Sequence, residues 1–188
     1  MSEFASSEYT AGQLNAIVKL LRKQAGEDAP ERFLRGELIV SEPAYYVEST
    51  QTLTVNYDIS LADALVLGKY DSVNGNITQA NFPPSGKGTQ TIEAALFHFD
   101  KTMTSKRVIA EMNKAGYRPA TIEELLALGQ VNPDLQRKYP IVALGSSCVV
   151  DGGRNVSYLS WGSNERKCNL SRFDFDLNDR CRFLAVRK

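Results

Sequence analysis

The order of elements along this chain predicts an α+β fold, and three observations carry the expectation. "AALFHFD", from Ala94, reads as a strand; two helices with well-marked ends follow it; and after Pro140 only short strands separated by polar loops remain. With 188 residues, 43% of them hydrophobic, the chain can bury a real core as one domain, or as one domain carrying a sizeable extension.

Thr10 and Gln13 form a capping-box pattern, and Leu14, Ile17, Val18 and Leu21 fall at helical spacing before Gly26, so this helix must bury one face. Leu53, Val55 and Tyr57 then alternate as in a half-buried strand, Ser60 to Gly68 suits a short helix, and "VNGNITQANFPPSGKG" is loop chemistry. Residues 1–90 are therefore expected to form an extension packing on the core, with residues 91–188 as the main domain. In that domain Thr104 or Ser105 caps a helix whose buried stripe is Val108, Ile109, Met112 and Ala115, closed by Gly116. "GYRPATIEELLALG" supplies a second helix. Its capping box is Thr121 and Glu124, its apolar face is Ile122, Leu125, Leu126 and Leu128, and Gly129 is expected at its C-cap. "IVALGSS", "VSYLSW" and "RFLAVR" read as the closing strands.

Lys plus Arg balance Asp plus Glu at 22 each, so no global field concentrates nucleic acid or an anionic membrane surface. No apolar run approaches the roughly 20 residues that span a bilayer. "MSEFASSEYTAG" also lacks the basic then apolar order of a signal peptide, so the chain is expected to be cytoplasmic as made, without membrane insertion. Cys148, Cys168 and Cys181 include no CxxC pair and read as ordinary thiols, with a Cys168–Cys181 bridge the one pairing to check. His98, the single histidine, suits a strand residue with one satisfied nitrogen better than a base or ligand. "SGKGT" at Ser85 to Thr89 misses the phosphate-loop pattern because Gly88 stands where Ser or Thr is required, and it reads as a turn. From Phe173 to Leu177 apolar and acidic residues alternate, which would set Asp174 and Asp176 on one side of a strand about 7 Å apart. "DFDLND" offers oxygen ligands but lacks the glycine turn and distal Glu of an EF-hand loop.

The strand, helix, helix, strands order, with a last strand placed to pair beside the first, resembles the C-type-lectin fold. "GYRPATIEELLALG" looks like the segment leading into the second helix of the formylglycine-generating-enzyme branch, and "CRFLAVRK" like its closing strand. Closer still, "YPIVALGS…YLSW…NL…F…RFLAVRK" is similar to variable proteins of diversity-generating retroelements from uncultured microbes. That resemblance implies a non-catalytic protein, with no cofactor or metal, that binds an unknown protein or other macromolecule through a face rewritten by adenine-directed errors. The implied variable region is 147–181, and residue types reachable from asparagine codons dominate Asp151 to Cys181.

Within it Leu159, Trp161, Leu170, Phe173 and Leu177, with Phe183 and Val186 beyond, are expected to be buried framework. The contact candidates are Ser147, Cys148, Asn155, Ser157, Ser160, Asn164, Asn169, Ser171, Arg172, Asp174, Phe175, Asp176, Asn178 and Arg180. Small polar groups with interspersed Arg and aromatic side chains make a paratope-like composition. Two alternatives stand beside this. "DFDLND" echoes the Trp-Asn-Asp motif of calcium-dependent lectins with Leu177 in place of Trp, although the companion Pro-containing segment is missing. A degenerate formylglycine-generating-type enzyme would need a closely spaced cysteine pair that the chain does not have.

Overall fold

The computed structural model describes residues 10–38 and 45–188, which fall into two compact units divided between Pro43 and Ala44. In the first unit, α1 (Ala11–Ala25) starts at the expected capping box, with the Thr10 hydroxyl accepting from Gln13 N–H, and ends at Gly26, whose φ is +99°. A short α2 (Ala29–Leu34) follows. The apolar stripe of α1 is not sealed as expected: Leu21 is buried, but Leu14 is 51% and Ile17 44% exposed. A two-helix segment this short offers too little facing surface to cover such a stripe by itself. The first nine residues, on which the reading of no leader rests, lie outside the described residues.

The second unit is mixed α+β. Its elements are β1 (Tyr46–Asn56), α3 (Leu61–Gly68), β2 (Ser72–Val73), β3 (Thr89–His98), β4 (Met103–Thr104), α4 (Ser105–Lys114), β5 (Tyr117–Pro119), α5 (Ile122–Val131), α6 (Leu135–Lys138), β6 (Ile141–Val150), β7 (Gly153–Gly162), β8 (Glu165–Arg172), β9 (Asp176–Leu177) and β10 (Arg182–Arg187). One sheet runs β1-β3-β10-β6-β7-β8-β2, with β5 added to β10, and β4 pairs with β9 in a second, two-stranded sheet. The last strand does lie beside the strand from Ala94, antiparallel, with Phe183 opposite Phe97 and Leu184 opposite Leu96. The sheet is mixed, because β10 runs parallel to β6 and β2 parallel to β8. The boundary expected near residue 90 falls inside this unit: β1 pairs with β3 along most of its length. Only Leu53 and Val55 of β1 are buried, which is why its sequence signal is weak.

Both faces of the central strands are covered, so "AALF" and "FLAV" read as continuous apolar runs, not alternations. Leu96, Leu184 and Ile141 enter one core with Leu125, Leu126 and Leu128 of α5. Phe97, Phe183 and Val142 enter the other with Val108 and Met112 of α4.

Two polar nodes fix α5. At its start Glu124, fully buried, accepts from Thr121 N–H, from the Arg118 guanidinium at 2.7 and 3.0 Å, and from the Tyr57 hydroxyl at 2.7 Å. Burial and that last bond push the Tyr57 hydroxyl well above the ordinary tyrosine range. At its end Arg166 of β8, 8% exposed, donates to Gly68 O at 2.6 Å, Gly129 O at 2.8 Å and Gln136 Oε1 at 3.1 Å. Gly68 and Gly129 lie in the last turns of α3 and α5, so the cation meets the negative ends of two helices. Gly129 is therefore not a C-cap. It sits inside α5, where the Tyr70 ring and Leu159 leave no room for a Cβ.

All three cysteines are buried free thiols, with Cys168 in the α5-side core and Cys181 in the α4-side core. Burial alone pushes the Cys168 thiol up to about 12. An unfolded chain loses that proton near pH 8.5. The unfolded state is thus favoured as pH rises through that range, and stability should fall between about pH 8.5 and 12. In urea titrations across this range Cys168→Ala should show a flatter decline from a lower starting value. Glu124→Ala, which strips the cap and leaves the Tyr57 hydroxyl and Thr121 N–H without their acceptor, should cost about 2–4 kcal/mol by urea denaturation at pH 7.

Candidate functional site

The ribbon that closes the chain is not the alternating strand its sequence suggests. β8 ends at Arg172, the backbone turns through Phe173 to Phe175, and pairing resumes only for Asp176–Leu177 against Met103–Thr104. Asp174 and Asp176 therefore do not share a strand. Phe173, Leu177 and Cys181, spaced four apart, are all buried in the α4-side core, while Asp174, Phe175, Asp176, Asn178, Asp179 and Arg180 are all exposed.

Backbone bonds and packing pin this loop. Phe173 N–H donates to Arg154 O at 2.8 Å, the buried Ser105 hydroxyl donates to Phe173 O at 2.7 Å, and the Arg154 guanidinium lies 3.9 Å over the Phe173 ring. Cys181 N–H donates to Asn178 O at 3.2 Å, and Arg180 N–H to Asn178 Oδ1 at 3.0 Å. Asn178 thus closes its own turn. His98 Nε2 lies 2.9 Å from Asp179 O, and Nδ1 lies 3.3 Å from Glu48 and 3.4 Å from Asp100, so both ring nitrogens, not one, face acceptors.

The remaining contact candidates divide. Cys148, Asn155 and Ser157 are buried and are not part of an exposed face. Asn155 donates to Gly153 O at 2.7 Å and closes the β6–β7 turn, Cys148 of β6 enters the α5-side core, and Ser157 lies two residues before Leu159 on the β7 face that packs into that same core. Ser147 is half-buried and accepts from Arg154 Nε at 3.0 Å. Tyr158 lies opposite Asn169 and Ser160 opposite Lys167, which places half-buried Ser160, Asn169 and Ser171 on one face of the β7–β8 ribbon. Asn169 is tied to Asn74 at 2.9 Å. Arg172 is half-buried across from Asn155, and Asn164 is exposed in the tight β7–β8 turn, at φ +61° beside Ser163 at +56°. Among the expected framework residues Leu170 is half-buried and Trp161 is half-buried under the Arg137 guanidinium at 3.8 Å. No group of three or more His, Cys, Asp or Glu side chains among the described residues is arranged to hold a metal ion.

Beside the loop opens a cleft of about 570 Å³, walled by His98, Asp100, residues 136–140, Trp161 and Asp179, Arg180 and Arg182. Arg182 pairs with Glu48 at 2.7 Å and lies 4.5 Å over the Tyr139 ring. Four separate stretches of chain build it, so no spacing in the sequence marks it. The nearest signal is the cationic and aromatic run "QRKYP" ahead of β6.

Compared with known proteins, the chain matches no family model, no curated protein and no solved structure. Among the described residues no helix is long and apolar enough to cross a membrane.

The division between anchors and exposed groups is measurable by urea denaturation. Phe173→Ala should cost about 3–5 kcal/mol, whereas Asp174→Ala and Phe175→Ser should each stay within about 0.5 kcal/mol of the parent.

Proposed function

We propose that this is a non-catalytic binding protein with a C-type-lectin type of fold, whose C-terminal loop recognises a macromolecular ligand and is diversified by a retroelement. The observation that carries the reading is the separation within 173–181: three side chains hold the backbone in a core, and the six between them face solvent. A surface meant to vary needs that separation, since exposed substitutions are nearly free energetically while anchor substitutions are not. The antiparallel placement of the last strand beside the strand from Ala94, with α4 and α5 between them in sequence, supports the fold assignment.

The binding face is narrower than the region expected from sequence. Asp174, Phe175, Asp176, Asp179 and Arg180 carry it, with Ser160 and Ser171 on the adjoining ribbon face. Phe175, 63% exposed, and Arg180 have the chemistry of contact hot spots. Asn178 is spent on its own turn.

Two measurements test this. In the DNA around the gene, a near-repeat of its end should differ at template adenines in codons for the exposed positions, while codons 173, 177 and 181 agree. Differences equally frequent at the three anchors would overturn the reading. A displayed library randomised at Asp174, Phe175, Asp176, Asp179 and Arg180 should remain mostly folded and yield binders to unrelated protein targets. A library that is mostly unfolded would count against it.

A further inference from the structure

The loop does not end at open solvent: its last exposed residues, Asp179 and Arg180, form one wall of the cleft beside Trp161. Resting on the binding reading above, we propose that this cleft takes an Asp or Glu side chain from an extended segment of the protein ligand. Its volume of about 570 Å³ lies within the range of ligand pockets. Its walls are preorganised. Gln136 is 2% exposed and bonded both to Arg166 and to Ser160 O, Arg137 is stacked on Trp161, and Arg182 is held between Glu48 and Tyr139. A group entering it would displace no internal contact to find partners.

Charge selects the ligand class. Arg137 already pairs with Asp134 at 2.8 Å and Arg182 with Glu48. Lys138 and Arg180 line the same cleft, are exposed, and have no carboxylate within ion-pair distance among the described residues. These two cations are the donors available to an anion. The wall also carries the carboxylates of Asp100 and Asp179, which repel a phosphate dianion or a nucleic-acid backbone more strongly than a single carboxylate. Half-exposed Trp161, with Tyr139 and Pro140, gives the methylenes and peptide planes beside such a carboxylate an apolar surface to lie on. An acidic peptide satisfies all of these features; a polyanion does not.

Trp161 is the sole tryptophan, so its emission reports on the cleft directly. Full-length protein would be titrated with a capped peptide containing two Glu, with the same peptide carrying Gln, and with inorganic phosphate. The Glu peptide should change Trp161 emission saturably, more weakly as salt rises, and bind about tenfold less tightly to the Lys138→Gln and Arg180→Gln variants, whose melting temperatures should match the parent. Equal response to the Gln peptide, tighter binding of phosphate, no saturable response, or unchanged binding in both variants would overturn the inference. Failure here is separable from failure of the loop reading. The peptide titration of the parent, whose Asp179 and Arg180 are intact, decides the cleft, whereas a library that is mostly unfolded or without binders overturns the loop reading whatever that titration gives.

Discussion

Phe173, Leu177 and Cys181 enter the same core at four-residue intervals, and the backbone between them is held by Arg154 O, the Ser105 hydroxyl and the short pairing with Met103 and Thr104. This double attachment, apolar anchors beneath and main-chain bonds at the edges, is the constraint on which the candidate site depends. A core aromatic contributes several kcal/mol through burial, and each bond to the buried Phe173 backbone adds roughly 1 kcal/mol. The exposed side chains contribute almost nothing to that sum. Their identity is consequently open to change, which is the physical requirement for a surface that recognises different partners on one frame.

The frame itself is braced from within by two charged groups that no exposed substitution reaches. Glu124 joins the start of α5 to β5 and to the end of β1, and Arg166 joins the ends of α3 and α5 to β8. Arg166 is unusual in that carbonyls and one amide, not a carboxylate, receive its guanidinium, and helix ends supply the negative potential. Tyr70, lying against Gly68 and Gly129 and beneath that guanidinium, completes the packing. Arg166 belongs to the stretch that resembles a variable region, yet its neighbours make it framework. Under the proposed diversification, position 166 stays constant.

What could be read from sequence follows from which interactions are local. The starts of α1, α3, α4 and α5 stand at Thr10, Ser60, Thr104 and Thr121 because a cap is a contact among neighbours in sequence, and the closing strand at Arg182 stands because an apolar run that short needs a two-sided core. Gly129 misled because a glycine near a helix end suits a C-cap equally well, and only the distant Tyr70 ring shows why it is needed earlier. Asn155 and Ser157 misled because a polar side chain in a strand reads as exposed unless its covering layer is known. The four-residue spacing of Phe173, Leu177 and Cys181 was visible, but two-residue alternation over "FDFDL" masked it. The cleft was not legible at all, since its walls come from segments far apart in the chain.

The claim at the centre is that the loop backbone is independent of what the loop displays. Amide hydrogen exchange at Phe173 and Cys181, compared between the parent and a variant with Asp174, Phe175, Asp176, Asp179 and Arg180 all replaced by Ser, tests it most directly. Protection at both amides should be retained within about threefold, because their acceptors, Arg154 O of β7 and Asn178 O of the loop's own turn, are main-chain atoms that the substitutions leave in place. Protection lost at both while the amides of β3 and β10 stay protected would show that the exposed side chains hold the loop, and would contradict the account.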